Sequence, residues 1–63
     1  MQVQNWTVYK NTDGKKERIG QVVTSLTGLK EVAFAKAAYK YNSGKPFTIG
    51  WKLEVKKGTV ENK

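Results

Sequence analysis

A regular alternation near the end of the chain constrains the fold more than any other feature. Every second residue from 47 to 55 is apolar: Phe47, Ile49, Trp51, Leu53 and Val55. A strict period of two over this length is typical of a strand with one buried face and one solvent-facing face. We therefore predict a strand over 47–56, and a second layer that covers its apolar side.

Two further strands are predicted in the first third of the chain. Segments 5–10 and 18–24 are rich in the residues that favour strands. Between them, Asp13 and Gly14 supply the positive-φ positions that a tight hairpin turn requires. We expect these two strands to form a hairpin.

Segment 29–41 is predicted to be a helix. It contains four alanines and neither glycine nor proline, so its helix propensity is high throughout. Thr27-Gly28 is the predicted entry and Gly44 the predicted stop. The spacing directs four residues towards the sheet: Phe34, Ala35, Ala38 and Tyr41. Lys36 and Lys40 are expected roughly opposite them.

The predicted fold class is α+β, a two-layer ββαβ domain with one helix packed on a three-stranded, largely antiparallel sheet. The third strand could pair with the first, in a β-grasp-like arrangement, or with the second. Residues 1–57 are expected to form a single domain, followed by a flexible polar tail over 58–63. Because a chain of 63 residues has a small core and this one has no cysteine, homodimerisation is a further possible source of stability.

The composition offers little for catalysis. The chain has no histidine and no cysteine, which removes the commonest general base and the usual soft metal ligands. Its five carboxylates are scattered: Asp13, Glu17, Glu31, Glu54 and Glu61. We therefore expect a binding protein with no catalytic residues, no metal and no cofactor.

The charge indicates a polyanionic partner. Twelve basic and five acidic residues give a net charge of +7. The candidate contact residues surround the hairpin turn, follow the helix and occupy the polar side of the third strand: Lys10, Lys15, Lys16, Arg18, Lys36, Lys40, Lys52 and Lys56. Lysine suits phosphates without reading bases, so we predict sequence-independent binding of nucleic acid, DNA more than RNA. The alternative is that the lysines only keep the protein soluble.

Two tyrosines are candidates for contacts beyond phosphate. Tyr9 beside lysines resembles a platform on which unpaired bases stack; the alternative is an ordinary strand residue that packs on a cross-strand neighbour. Tyr39 lies off the helix stripe and could contact another protein. The alternative function is therefore a protein-interaction module, such as a phage-encoded inhibitor that docks on an acidic surface of a host enzyme.

Four short motifs carry a resemblance to a known class: Trp6-Thr7-Val8-Tyr9, Arg18-Ile19-Gly20, Ser25-Leu26 and Gly50-Trp51-Lys52-Leu53-Glu54. In this order they resemble small DNA-binding accessory modules of phages and mobile elements, in which a hairpin precedes a helical reader. The resemblance implies a small phage-type regulator that binds DNA. Those modules usually carry two helices joined by a glycine-containing turn, whereas segment 29–41 continues without one.

The start of the chain lacks a basic segment followed by a long apolar run. We therefore expect no signal peptide and no membrane span, and a cytoplasmic protein.

Overall fold

One antiparallel sheet and one helix make up the computed structural model, which describes residues 1–45, 47–48 and 50–62. The elements are β1 (Gln2–Thr12), β2 (Lys15–Thr24), α1 (Lys30–Asn42), β3 (Phe47–Thr48) and β4 (Trp51–Asn62). The order in the sheet is β2-β1-β4-β3, so the last long strand pairs with the first. This confirms the predicted α+β class and decides between the two pairings that the sequence left open. Within the described residues, no helix is long and apolar enough to span a bilayer.

The predicted hairpin is formed by β1 and β2. Asp13 and Gly14 both have positive φ, at 51° and 81°, and are the only residues between the paired ends Thr12 and Lys15. The Asn11 side-chain Oδ1 accepts a hydrogen bond of 3.1 Å from the Gly14 N–H. This is the backbone geometry of a two-residue type I′ turn, which matches the twist of the flanking strands.

The core lies between α1 and one face of the sheet. Five sheet residues are buried there: Trp6, Val8, Val22, Leu53 and Val55. They pack against the short side chains of Ala33, Ala37 and Ala38, which allow the helix to lie close to the strands. The Trp6 Nε1–H donates to Thr24 Oγ1 at 2.9 Å, so its polar atom is satisfied inside the core.

The helix is rotated from the predicted orientation, but three of the four residues predicted to face the sheet do pack on it: Phe34, Ala38 and Tyr41. Ala33 and Ala37 are fully buried, while Ala35 is exposed and Phe34 and Tyr41 pack at the margin. The predicted stripe contained Ala35 and Ala38 but not Ala33 and Ala37, the two alanines that the structure buries completely. The helix ends at Ser43, which has φ 53°, and the N–H groups of Ser43 and Gly44 both donate to Ala38 O.

The predicted strand over 47–56 is not continuous. β3 folds back on the start of β4, with Phe47 opposite Lys52 and Thr48 opposite Trp51. Gly50 has φ 95° and makes this reversal possible, since other residues rarely adopt that conformation. The predicted inward position of Ile49 lies outside the described residues.

Residues 58–62 belong to β4 and not to a flexible tail. They pair with the start of β1, from Gln4 opposite Val60 to Gln2 opposite Asn62. A bulge interrupts this ladder between Gln4 and Trp6. The side-chain amide of the buried Gln4 donates there to Gly58 O and Thr59 O, and so supplies partners for two backbone carbonyls of β4. The pairing supplies the backbone partners that a frayed segment would lack; Lys63 lies outside the described residues.

Side chains from α1 cover the outer edge of β2 at Gln21 and Val23. Lys36 Nζ donates to Val23 O at 3.0 Å and Lys40 Nζ donates to Gln21 O at 3.2 Å. The Tyr41 hydroxyl accepts from the Gln21 N–H at 3.1 Å. These contacts satisfy backbone groups that another strand could otherwise pair with.

Candidate nucleic-acid interface

The candidate interface is the open face, which we define as the side of the sheet that is turned away from α1. Residues that pair across strands share a face. Three rows cross β2, β1 and β4 on this side: Gln21–Thr7–Lys56, Arg18–Tyr9–Glu54 and Lys16–Asn11–Lys52. The register thus gathers Lys16, Arg18, Lys52 and Lys56 around Tyr9, which lies on the central strand.

A bulge in β2 determines which residues reach the open face. Val8 pairs with Gly20 but Tyr9 pairs with Arg18, so Ile19 is the extra residue. Because neighbouring residues of a strand point to opposite faces, regular pairing would have placed Ile19 opposite Tyr9. The bulge instead brings Arg18 to the open face and lets Ile19 pack against the core cluster.

Glu54 is held by two neighbours on the open face. Lys16 Nζ lies 3.0 Å from Glu54 Oε2, and Asn11 Nδ2 donates to Glu54 Oε1 at 3.4 Å. The Lys16 contact is the main reason why the pKa of Glu54 lies below its ordinary value. The Lys16 side chain is 60% exposed and that of Glu54 30% exposed. Part of the Lys16 charge is therefore compensated, and Glu54 remains accessible.

The other three cations of the open face form no direct ion pair among the described residues, although Lys52 is close enough to help lower the pKa of Glu54. Arg18, Lys52 and Lys56 are exposed. Their side chains form no hydrogen bond or ion pair with any residue in the described part of the chain. Their charges are therefore available to an anion in solution.

A groove beside β4 brings together four of the ten candidate residues: Tyr9, Lys16, Lys52 and Lys56. β3 covers only the start of β4, which leaves the rest of the outer edge without a strand among the described residues. The lining of this groove combines residues of the open face with residues of the helix layer: Tyr9, Lys16, Lys30, Phe34, Lys52, Leu53, Glu54, Val55 and Lys56. It therefore contains two aromatic rings, four lysines and one carboxylate.

Four of the predicted contact residues lie elsewhere. Lys10 Nζ lies 5.1 Å from the centre of the Trp51 ring, and Lys15 follows the hairpin turn beyond the three rows. Lys36 and Lys40 belong to the helix layer, where they bind the β2 carbonyls. Both lysines are exposed, as predicted, but their long side chains bend back to the outer edge of β2.

Tyr39 lies on the outer side of α1 and is separate from the open face. It is 81% exposed, and the exposed Val32 and Ala35 lie beside it on a shallow groove. The structure thus places the two candidate tyrosines, Tyr9 and Tyr39, on opposite layers.

Sequence reasoning gave Glu54 and Asn11 no role. Both were ordinary polar positions in their segments, and only the pairing of β1 with β4 brings them together. Lys30 was also missed, although its place at the start of a helix that packs on a strand could have suggested it.

The chain was compared with protein-family models, curated proteins and solved structures, and none of them matches it.

Proposed function

We propose that this protein binds nucleic acid, mainly through phosphates, on the open face of its sheet. The observation that carries the proposal is the placement of three exposed cations without a direct ion pair, Arg18, Lys52 and Lys56, around Tyr9 on a face that no other described element covers. Phosphates accept hydrogen bonds from lysine without strict geometry. Such a face suits contact that does not depend on sequence.

The spacing of the cations suits a polymer. Lys52 and Lys56 are four residues apart on β4, which at about 3.3 Å per residue separates them by roughly 13 Å. Duplex DNA carries one charge per roughly 1.7 Å of axis, so several phosphates fall within that span. The resemblance to phage-type modules makes DNA the expected polymer and a phage-type regulator the expected context.

The test is a titration of labelled DNA followed by fluorescence anisotropy at several salt concentrations. With three to four contacts, the logarithm of the affinity should fall with the logarithm of the salt concentration with a slope of about −3. The variant Lys52→Ala/Lys56→Ala should reduce that slope by about 2 and weaken binding to all sequences similarly.

The matched control is Lys36→Ala/Lys40→Ala, which removes the same two charges from the helix layer. It should leave the slope nearly unchanged. Equal losses in both variants would mean that net charge alone attracts DNA, and the open face would then not be the interface. Binding that is absent, or insensitive to salt, would reject the proposal.

The outer side of α1 supports a second candidate function, the docking of an acidic protein surface. Val32 and Tyr39 are 45% and 81% exposed on this side, and Lys36 and Lys40 line the same shallow groove. Leu29, the N-cap residue before α1, is 65% exposed. An acidic partner recovered in equal amount after nuclease treatment, and lost with Val32→Ser/Tyr39→Ser, would favour this function. Recovery of nucleic acid alone would count against it.

A further inference from the structure

Phosphate binding does not explain the carboxylate in the middle row of the open face. Glu54 occupies the row of Tyr9 and Arg18, where its charge would repel a phosphate. The fold nevertheless holds it in place through Lys16 and Asn11. A carboxylate held in place among exposed cations indicates a ligand that offers hydrogen-bond donors as well as phosphates.

Tyr9 is the aromatic neighbour of that carboxylate. Residues directly opposite each other in an antiparallel pair have Cβ atoms about 5 Å apart, so a flat group lying on the Tyr9 ring would reach Glu54 with its edge. Paired bases in a duplex already stack on both faces. Only an unpaired base can lie on the ring, and such contacts contribute to single-strand binding in many proteins.

We propose that the open face holds an unpaired guanine, stacked on Tyr9 with its Watson–Crick edge towards the Glu54 carboxylate. This inference rests on the proposed function and narrows its ligand to single-stranded DNA. Arg18, Lys52 and Lys56 then contact the flanking phosphates.

The chemistry of the bases selects guanine. A carboxylate offers about four lone-pair sites, and Lys16 and Asn11 use one on each oxygen of Glu54. One site on each oxygen is left, which matches the two adjacent donors of guanine, N1–H and the N2 amino group. Adenine and cytosine present a single amino group on that edge. Thymine presents one N–H between two carbonyl oxygens, which the carboxylate repels.

The first experiment compares two single strands of about nine nucleotides, oligothymidylate and the same strand with one central guanine. The native protein should bind the guanine-containing strand about fivefold more tightly, the lower end of the range for a bidentate contact because the site is partly exposed. Glu54→Gln should abolish this preference without weakening binding to oligothymidylate. Glu31→Gln makes the same change on the helix and should keep the preference.

The second experiment tests the stacking. Tyr9→Leu removes the ring but keeps an apolar side chain, and it should weaken single-strand binding about tenfold while duplex binding changes less than about twofold. Tyr39→Leu is the matched control, because it makes the same substitution on the outer side of α1. It should change neither affinity.

The outcomes separate this inference from the proposed function. Equal binding of the two strands by the native protein, or a guanine preference that survives Glu54→Gln, would overturn the inference while salt-dependent binding still supports phosphate contact. Absence of any binding would reject both. If circular dichroism shows that Tyr9→Leu does not fold, the comparison of the two strands with Glu54→Gln still tests the inference, because the Glu54 side chain is accessible.

Discussion

Gly20 is the position where a single methyl group should disturb the packing between sheet and helix. A Cβ atom added there would overlap the Tyr41 hydroxyl and lie 2.6 Å from Tyr41 Cζ, which is closer than any ordinary contact. In Gly20→Ala the Tyr41 ring must therefore move. Its hydrogen bonds to the Gln21 N–H and Gln21 O, at 3.1 and 3.4 Å, would be lost.

The size of the effect follows from three terms. Overpacking costs about 1–3 kcal/mol, and the lost hydrogen bonds about 1 kcal/mol. Replacing glycine by alanine stabilises the folded state by about 0.7 kcal/mol, because the unfolded chain has fewer conformations to lose. We therefore expect Gly20→Ala to lower the free energy of unfolding by about 2 kcal/mol. At about 0.05–0.15 kcal/mol per residue, the 63-residue chain has only about 3–9 kcal/mol in total.

Urea unfolding followed by tryptophan fluorescence measures this change as a shift in midpoint at constant slope. Gly58→Ala is the matched control, since its Cβ would lie 3.3 Å from Asn5 O and needs only a small adjustment. In a Tyr41→Ala background, Gly20→Ala should become nearly neutral. If Gly20→Ala were as stable as Gly58→Ala to within about 0.5 kcal/mol, the packing of Tyr41 on Gly20 would be refuted.

Three further substitutions test local features of the fold and the site. Trp6→Phe removes the Nε1–H bond to Thr24 and part of a buried ring, so the free energy of unfolding measured with urea should fall by about 2 kcal/mol. Gly14→Ala should lower the free energy of unfolding by about 1 kcal/mol in the same assay, because alanine is strained at φ 81°. Lys16→Ala should raise the pKa of Glu54 towards its ordinary value of 4.5, which a carbon-13 NMR titration of the side-chain carboxyl would show. Because folding lowers the pKa of Glu54, the ion pair stabilises the protein at a pH above the pKa of the unfolded state, and this stabilisation is lost as the pH falls through the pKa of the folded state. An unchanged titration of Glu54 in Lys16→Ala would contradict the contact.

Local patterns predicted the elements whose determinants are themselves local. The period of two identified the inward residues Leu53 and Val55, and Asp13-Gly14 identified the hairpin turn. The alanine-rich segment identified the helix to within one residue at each end. Each of these follows from a side-chain period or from a backbone conformation that few residues adopt.

Features that depend on pairing could not be predicted in the same way. The segment after Lys57 has no apolar period, and it becomes a strand because the start of β1 offers a free edge. Gly50 occupied a polar position in the alternation, so its role in reversing the chain was not apparent. The pairing of Glu54 with Tyr9 likewise depends on register, which the sequence leaves open.

The most direct test of the open face is a lysine side-chain NMR titration with single-stranded DNA. The signals of the terminal CH₂ groups report each lysine separately, and the two layers contain distinct sets. We expect the largest shifts at Lys16, Lys52 and Lys56, and little change at Lys36 and Lys40, whose ammonium groups bind β2 carbonyls. Shifts of equal size in both sets, or confined to Lys36 and Lys40, would contradict binding through the open face.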